Sequence, residues 1–379
     1  MSPVMLRGDI ESKLSARVRR NVERLRRVGW TQYAFEKRRR IRYVWRRLLR
    51  DSSRHDAKWA PLVGSHEGER VFLIGNGPSL NRTPLYLLRD EYKMCFNRFH
   101  LILERLNWEI DFYVVVDNLV LNDMLAELDH VSRVTKHLFL PDIHIRGEEY
   151  HKQVKEYDNL YWVRHYGGGI GFSTEAPRVF GGGSVVYEGI QILRFLGFRE
   201  IVIVGVDLNF QVHQGVRAVA DDPDGIEPVK DDDPNHFDPR YFGKGRRYHQ
   251  PEQHVIDNIR RRLADVATVM PGLGFRVVNA GYDSSVESFE RRDFVEYLGK
   301  SAAETAALFE ECVVRRTRFR TLGEMQASLG LIDVDAARKA TGDFAVNVDG
   351  GAALVRQRIL THLPLGPFEG RLYFVARGA

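Results

Sequence analysis

Cysteine is nearly absent: Cys95 and Cys312 are the only two in 379 residues. Two distant thiols make neither a disulfide framework nor a zinc site, so a reducing, cytoplasmic setting is expected. No apolar run approaches ~20 residues, which removes a membrane-spanning helix from the reading. The N-terminal stretch has no apolar core of the secretory type, so no signal peptide is expected there. A G-x-S-x-G elbow, an H-E-x-x-H pair and cysteine-based zinc spacing are all missing. Serine-hydrolase and zinc-hydrolase chemistry therefore have no support. Internal repeats and low-complexity tracts are missing too.

What is present is the composition of a soluble globular protein, 44% apolar and 28% charged. The length suits two or three domains of ~150 residues. Charge is unevenly placed. Residues 1–55 hold 17 Lys/Arg against 5 Asp/Glu. The net charge of +5 thus combines a basic arm with a mildly acidic remainder.

Within residues 10–50, Leu14, Val18, Val22, Leu25 and Val28 recur at helical spacing. After Gly29 come Tyr33, Phe35, Ile41, Tyr43, Val44, Trp45, Leu48 and Leu49. They are interleaved with Lys37, Arg38, Arg39, Arg40, Arg42, Arg46 and Arg47. Basic helices of this kind suit an anionic membrane surface, or packing on the body or on a second copy. Nucleic acid is disfavoured, since no recognised nucleic-acid module surrounds the segment. Pro61, Gly64 and Gly68 mark a linker, which separates a basic arm (1–66) from a core domain.

The core domain is organised around Arg70-Val-Phe-Leu-Ile-Gly-Asn-Gly-Pro-Ser-Leu80. Val71 to Ile74 reads as a buried strand. It breaks at Gly75, Asn76 and Gly77 and is expected to restart as a helix after Pro78 and Ser79. A strand–glycine–helix turn offers free amides and a helix dipole, both suited to phosphate. It lacks the full G-x-G-x-x-G pattern and the P-loop lysine, so an ordinary tight turn stays open. Further apolar runs follow at 93–97, 111–117, 137–141, 160–164, 200–207 and 275–279, alternating with helical stretches. Such a pattern predicts a doubly wound, mostly parallel Rossmann-like α/β sheet over 67–297. Ligands in these sheets sit at the carboxyl ends of the strands, where Gly75, Asn76, Asn97, Asp117 and Asp207 fall. Residues 298–379 read as a small α+β extension, ending in a strand at 371–375.

Several groups near those strand ends suggest chemistry. Asp117 and Asp207 are positioned to hold Mg²⁺ against a nucleotide, or else to cap loops. Lys244, Arg246 and Arg247 are suited to steady a departing phosphate, or else form a solvated turn. His236 and His249 flank that loop, and either is a candidate general base. The glycines at 167–171 and 181–183 offer amides to an anion, and Ser184 is a natural N-cap. Residues 211–250 read as a long polar lid or an unstructured loop, with Asp221 to Asp238 mostly solvated.

The order of these residues resembles two related groups. Gly75-Asn-Gly-Pro-Ser-Leu80, Asn97 with Phe99, Ser184 to Gly197-Phe-Arg-Glu-Ile201, and Gly205-Val-Asp207 run as in the 6-hydroxymethylpterin diphosphokinase MptE-like proteins, which include motility accessory factors. They also run as in the bacterial CMP-sialic-acid sialyltransferases. The resemblance covers residues 68–295. It implies a Rossmann-like fold and a nucleotide or nucleotide-sugar site, with Asn76 and Asn97 on the nucleotide. Lys244 stands where the sialyltransferases carry a catalytic histidine. Asn209 and Phe210 stand in place of phosphate-holding tyrosines, and a glycine replaces the arginine before Ser184.

The resulting expectation is a cytoplasmic transferase, peripheral on the inner membrane face, in surface-polysaccharide assembly. It would be glycosyltransferase-like, with a nucleotide-sugar donor of the CMP-sugar type and a glycan or lipid-linked acceptor. The donor would contact Gly75, Asn76, Gly77, Ser79, Asn97, Asp117, Ser184 and Asp207. Lys244 and Arg247 would hold the phosphate and His249 would take the acceptor proton. Two alternatives remain open: a diphosphokinase with Mg²⁺ on Asp117 and Asp207, and a non-catalytic nucleotide-binding scaffold. A homo-oligomer is also left open.

Overall fold

The computed structural model describes residues 37–309 except 51, 107, 167–169, 220 and 221, together with positions 22, 29, 30 and 34. Most of the expected C-terminal extension, with its 371–375 strand, lies outside the described residues. So do most of the arm before residue 37 and the glycines at 167–169.

The core is a nine-stranded sheet in which every pairing is parallel. In chain order the strands are β1 (Arg70–Ile74), β2 (Tyr92–Phe96), β3 (Ile110–Val114), β4 (Thr135–Pro141), β5 (Leu160–His165), β6 (Arg178–Val179) and β7 (Glu200–Val204). After β8 (Val216–Val219), β9 (Asp222–Pro228) and β10 (Tyr248–His249), the sheet resumes with β11 (Arg276–Asn279) and β12 (Glu290–Arg291). The spatial order is β12-β11-β7-β1-β2-β3-β4-β5-β6. The chain grows outward from β1 to β6, then returns to place β7 on the other side of β1. The direction of winding therefore reverses between β1 and β7, the place where doubly wound sheets open a ligand crevice. The Rossmann-like expectation holds.

Both faces of the sheet are buried, as its continuous apolar runs require. Phe72, Ile74, Cys95 and Tyr113 point into one layer, with Tyr86, Phe99, Phe237 and Tyr241. Val71, Leu73, Met94 and Phe96 point into the other, against α5 (Val185–Leu196) and α6 (Gln253–Val269). Ser184 caps the start of α5, and Gly197 at φ +100° closes it in the left-handed region that glycine adopts at low cost.

Two local expectations are corrected. No α-helix follows the glycine turn: Pro78–Arg82 and Leu85–Leu88 are short 3₁₀ segments. Pro84 disfavours helical backbone at Thr83, whose hydroxyl donates back to the Ser79 carbonyl at 3.0 Å. The segment 211–250 is neither solvated nor irregular throughout. β8, β9 and β10 form a three-stranded antiparallel sheet. Beyond it, Asp233 and Asp238 are buried. Asp233 accepts from the amides of Asn235 and Phe242, and Asp238 binds Arg240 and Arg105. The Phe237 amide donates to the Asn76 carbonyl at 2.9 Å, so this segment docks directly on the turn after β1.

The basic arm continues as helix α1 over 37–49. Tyr43, Arg46, Arg47 and Arg50 fasten one side of it to the body. The Tyr43 hydroxyl donates to the His165 carbonyl, Arg46 to the Gly147 carbonyl, and Arg47 to both Asp142 oxygens. Arg50 Nε adds an ion pair to Asp142 at 3.2 Å. No helix of the described residues is long and apolar enough to cross a membrane.

Candidate functional site

The tips of β1, β2 and β7 open on a single cleft of about 520 Å³. It is lined by Gly75, Asn76, Gly77, Asn97, Asp117, Ser184, Asp207 and His249 of the expected set. Ser79, Lys244 and Arg247 are not among its lining residues.

The turn after β1 works differently from the expectation. The Gly75 amide donates to the Val204 carbonyl and the Gly77 amide to the Gly205 carbonyl, each at 2.8 Å. The Ser79 amide donates to Asp207 Oδ2 at 2.9 Å, and its hydroxyl to Oδ1 at 2.5 Å. The Gly75, Gly77 and Ser79 amides expected to cradle phosphate are therefore taken, and the chain's own Asp207 carboxylate bonds Ser79 there. The glycines are needed for a different reason. A Cβ at Gly75 would overlap the Gly205 carbonyl, and one at Gly77 would overlap the Asp207 carboxylate. Burial pushes the Asp207 carboxyl above its ordinary range, and the two bonds from Ser79 partly offset that.

Both carboxylates of the pair expected to hold Mg²⁺ under the diphosphokinase alternative also serve the fold. Asp207 is bonded as above. Asp117 caps α3 (Asn118–Met124), accepting from the amides of Leu119 and Val120. Among the described residues no group of three or more His, Cys, Asp or Glu is arranged to hold a metal ion. Ser184 Oγ accepts from the Val186 amide, as an N-cap does.

The two asparagines do face the cleft with unmet capacity. Asn76 Nδ2 donates to the Phe96 carbonyl at 3.2 Å, which fixes the amide's orientation. Its Oδ1 is buried without a hydrogen-bond partner, and so is Oδ1 of Asn97. Asn97 sits at φ +53°, a conformation that asparagine tolerates better than most residues. Buried acceptors left open inside a cleft ask for a ligand donor.

Two of the cleft-lining histidines are each paired with an aspartate. His249 Nε2 lies 2.7 Å from Asp222 Oδ2. His236 Nδ1 lies 2.8 Å from Asp233 Oδ2, and its ring stacks on Tyr241 at 3.8 Å and 2°. Asp233 is almost wholly buried, whereas Asp222 is partly exposed. His236 is therefore the more rigidly held of the two.

The expected phosphate cations are placed elsewhere. Lys244 and Arg247 are exposed outside the cleft lining, and Arg247 lies 3.9 Å from Glu227. Arg246 is committed to Asp123 and Glu127. The one Lys or Arg among the described lining residues is Arg146, at the exposed mouth. Arg146 carries no sequence signal for the site, and neither do His165 and Glu188, which line the cleft from β5 and α5. Each is a single polar residue within a polar loop or an apolar run, and no spacing marks it.

No protein-family model matches the chain, and no curated protein matches it. Among solved structures it is similar to a MAf glycosyltransferase from Magnetospirillum magneticum AMB-1. There the identity is 16% and the TM-score 0.36, over 83% of this chain and 49% of that one. The chain thus spans about half of that protein's length. It is also similar to the sialyltransferase CstII from Campylobacter jejuni in complex with cytidine-5'-monophosphate. That match has 12% identity and a TM-score of 0.34, over 59% of this chain and 85% of that one. With CMP-3FNeuAc in the same sialyltransferase the values are 10% and 0.32.

Proposed function

We propose that the protein is a glycosyltransferase-like enzyme that takes a nucleotide-sugar donor in the cleft between β1, β2 and β7. The observation that carries the reading is the pair of open, buried acceptors on Asn76 and Asn97 at the point where the winding reverses. They suit the hydroxyls of a ribose or the amino group of a base, and both sit at strand ends. Phosphate contact passes from the turn amides to Arg146, the one Lys or Arg among the described lining residues. In the reaction the acceptor hydroxyl attacks the anomeric carbon. The bond from that carbon to the phosphate oxygen breaks, and the nucleotide leaves with the electron pair. The acceptor proton goes to Nε2 of His236, whose Nδ1 is held by Asp233. His249 is the competing base, because it also lines the cleft and carries its own aspartate.

A thermal-shift panel of CMP, UDP, GDP and ATP, each with and without Mg²⁺, tests the reading. Stabilisation by CMP without metal supports it, and Asn76→Ala should abolish that shift. A response to ATP only with Mg²⁺ supports the diphosphokinase instead, and no response to any nucleotide supports a scaffold.

The acceptor we propose is a glycan or lipid-linked glycan at an anionic membrane. The outward side of α1 supports this. Ile41, Val44, Trp45, Leu48 and Leu49 recur at i, i+3, i+4, i+7 and i+8, and are 58%, 43%, 59%, 72% and 81% exposed. Arg38, Arg40 and Arg42 are exposed on the same helix. An apolar stripe beside cations, turned away from the body, matches an interfacial helix on anionic lipid.

A further inference from the structure

Glu188 stands in the first turn of α5 and is 5% exposed. Its Oε1 lies 3.6 Å from His165 Nε2. Its Oε2 and His165 Nδ1 are both buried without a hydrogen-bond partner, and both residues line the cleft. A carboxylate this deep normally has its lone pairs filled. The helix dipole favours a carboxylate in this first turn but fills none of its lone pairs, and the neighbours Tyr187 and Ile190 belong to the apolar layer.

With Nε2–H turned toward Glu188, His165 Nδ1 carries a lone pair. Four buried atoms of cleft-lining residues are then open at once: Oδ1 of Asn76, Oδ1 of Asn97, Oε2 of Glu188 and Nδ1 of His165. All four accept. A phosphate at neutral pH also only accepts, so it satisfies none of them and is repelled by Glu188. Hydroxyl and amino groups donate, and satisfy all four.

We infer that Glu188 and His165 form a subsite for a donor-rich group, the hydroxyls or amine of the glycosyl part of the ligand, and not for its phosphate. The assignment of the subsite rests on the nucleotide-sugar reading. Glu188 selects between a nucleotide and its sugar conjugate, while Asn76 serves both.

Glu188→Gln tests it in the full chain, because the amide keeps the shape and replaces an acceptor with a donor. Calorimetry would compare CMP with CMP-N-acetylneuraminic acid, UDP with UDP-glucose, and GDP with GDP-mannose. For the pair that binds, the preference for the conjugate over the bare nucleotide should fall at least about tenfold, the scale of one hydrogen bond to a charged group. Affinity for the bare nucleotide should stay within about twofold. An unchanged preference overturns the inference, and so does an equal loss for both ligands. The melting temperature of the ligand-free protein is a second readout. Removing an unsatisfied buried charge should leave it level or raise it. A fall of several degrees would make Glu188 structural and overturn the inference as well. If no nucleotide binds the unaltered protein, the nucleotide-sugar reading fails first, and the melting temperature alone judges whether Glu188 is held for a ligand.

Discussion

Ser79 donates twice to Asp207, from its amide and from its hydroxyl, across 128 positions of sequence. This contact closes the turn after β1 against the tip of β7, at the reversal of the sheet's winding. A bound anion is supplied there by the chain itself. Asp207→Ala should leave both Ser79 donors open and cost about 2–3 kcal/mol of stability in urea denaturation. A loss below ~0.5 kcal/mol would mean that water replaces the carboxylate and that the pair contributes little. The same bonds occupy the carboxylate that a metal would need. Nucleotide-induced thermal shifts should therefore be equal in EDTA and in Mg²⁺.

Gly77 carries the complementary prediction. Its backbone lies at φ −65° and ψ 157°, which any residue adopts. The cost of Gly77→Ala therefore comes from contact alone, since the new methyl would meet the Asp207 carboxylate. About 1–3 kcal/mol of destabilisation is expected, the range for overpacking a closed site. In the Asp207→Ala background the same methyl has room, and the double variant should lose less than the sum of the two single ones. Strict additivity would show that the two residues do not share this contact.

The sheet was legible because its strands are short apolar runs buried on both faces, such as 71–74 and 200–204, and such runs have few other uses. The convergence of the strand tips followed from that. The turn itself is not legible for a physical reason: whether glycine amides are free depends on what β7 brings to them, and Asp207 is far away in sequence. The 3₁₀ segments after Ser79 reflect Pro84 and local side-chain bonds outweighing an expected helix. Asp233 stands in an acidic run that suggests solvent, yet it is buried because two amides and His236 neutralise its cost. Glu188 and His165 give no periodic or motif signal, and only the folded cleft brings them together.

Glu127 links the docked 211–250 segment to the rim of the sheet. It meets Arg98, His100 and Arg246. Burial alone would raise its pKa, but the His100 bond and the arginine charges outweigh that and hold it at about 2. A carboxyl depressed in this way adds stability above its ordinary value of 4.5 and loses it as pH falls toward 2. Glu127→Gln should therefore be less stable than the parent at neutral pH. The gap in urea midpoint should narrow below pH ~4.5 and close near pH ~2. A gap that stays constant across that window would remove the electrostatic account.

The outward stripe of α1 predicts a lipid preference. The full chain should float with vesicles containing phosphatidylglycerol and stay behind with phosphatidylcholine alone. Trp45→Glu with Leu48→Glu should abolish flotation without changing the melting temperature, because neither side chain is buried on the body. Arg38→Ala with Arg42→Ala should lower partitioning about thirtyfold, at ~1 kcal/mol for each cation near the surface. A stable dimer in solution that Trp45→Glu splits, with no vesicle binding, would give this face to a second copy.

His236 is the proposed base because it is the more rigidly held of these two cleft-lining histidines. Nδ1 of His236 is fixed by a carboxylate that is nearly wholly buried, and its ring is stacked on Tyr241, which leaves Nε2 as the proton acceptor. His249 binds Asp222 through Nε2 itself, so only Nδ1 is left for a substrate, on a ring whose partner is partly exposed. With the donor found in the nucleotide panel, His236→Ala should lower kcat by about 10²–10⁴-fold with donor affinity kept. Asp233→Asn should lower it less and shift the rising limb of the pH profile, because the imidazolium loses its counter-charge. His249→Ala should retain most turnover. If His249→Ala is the dead variant and His236→Ala turns over normally, the proton leaves on the other side of the cleft and Asp222 takes the orienting role.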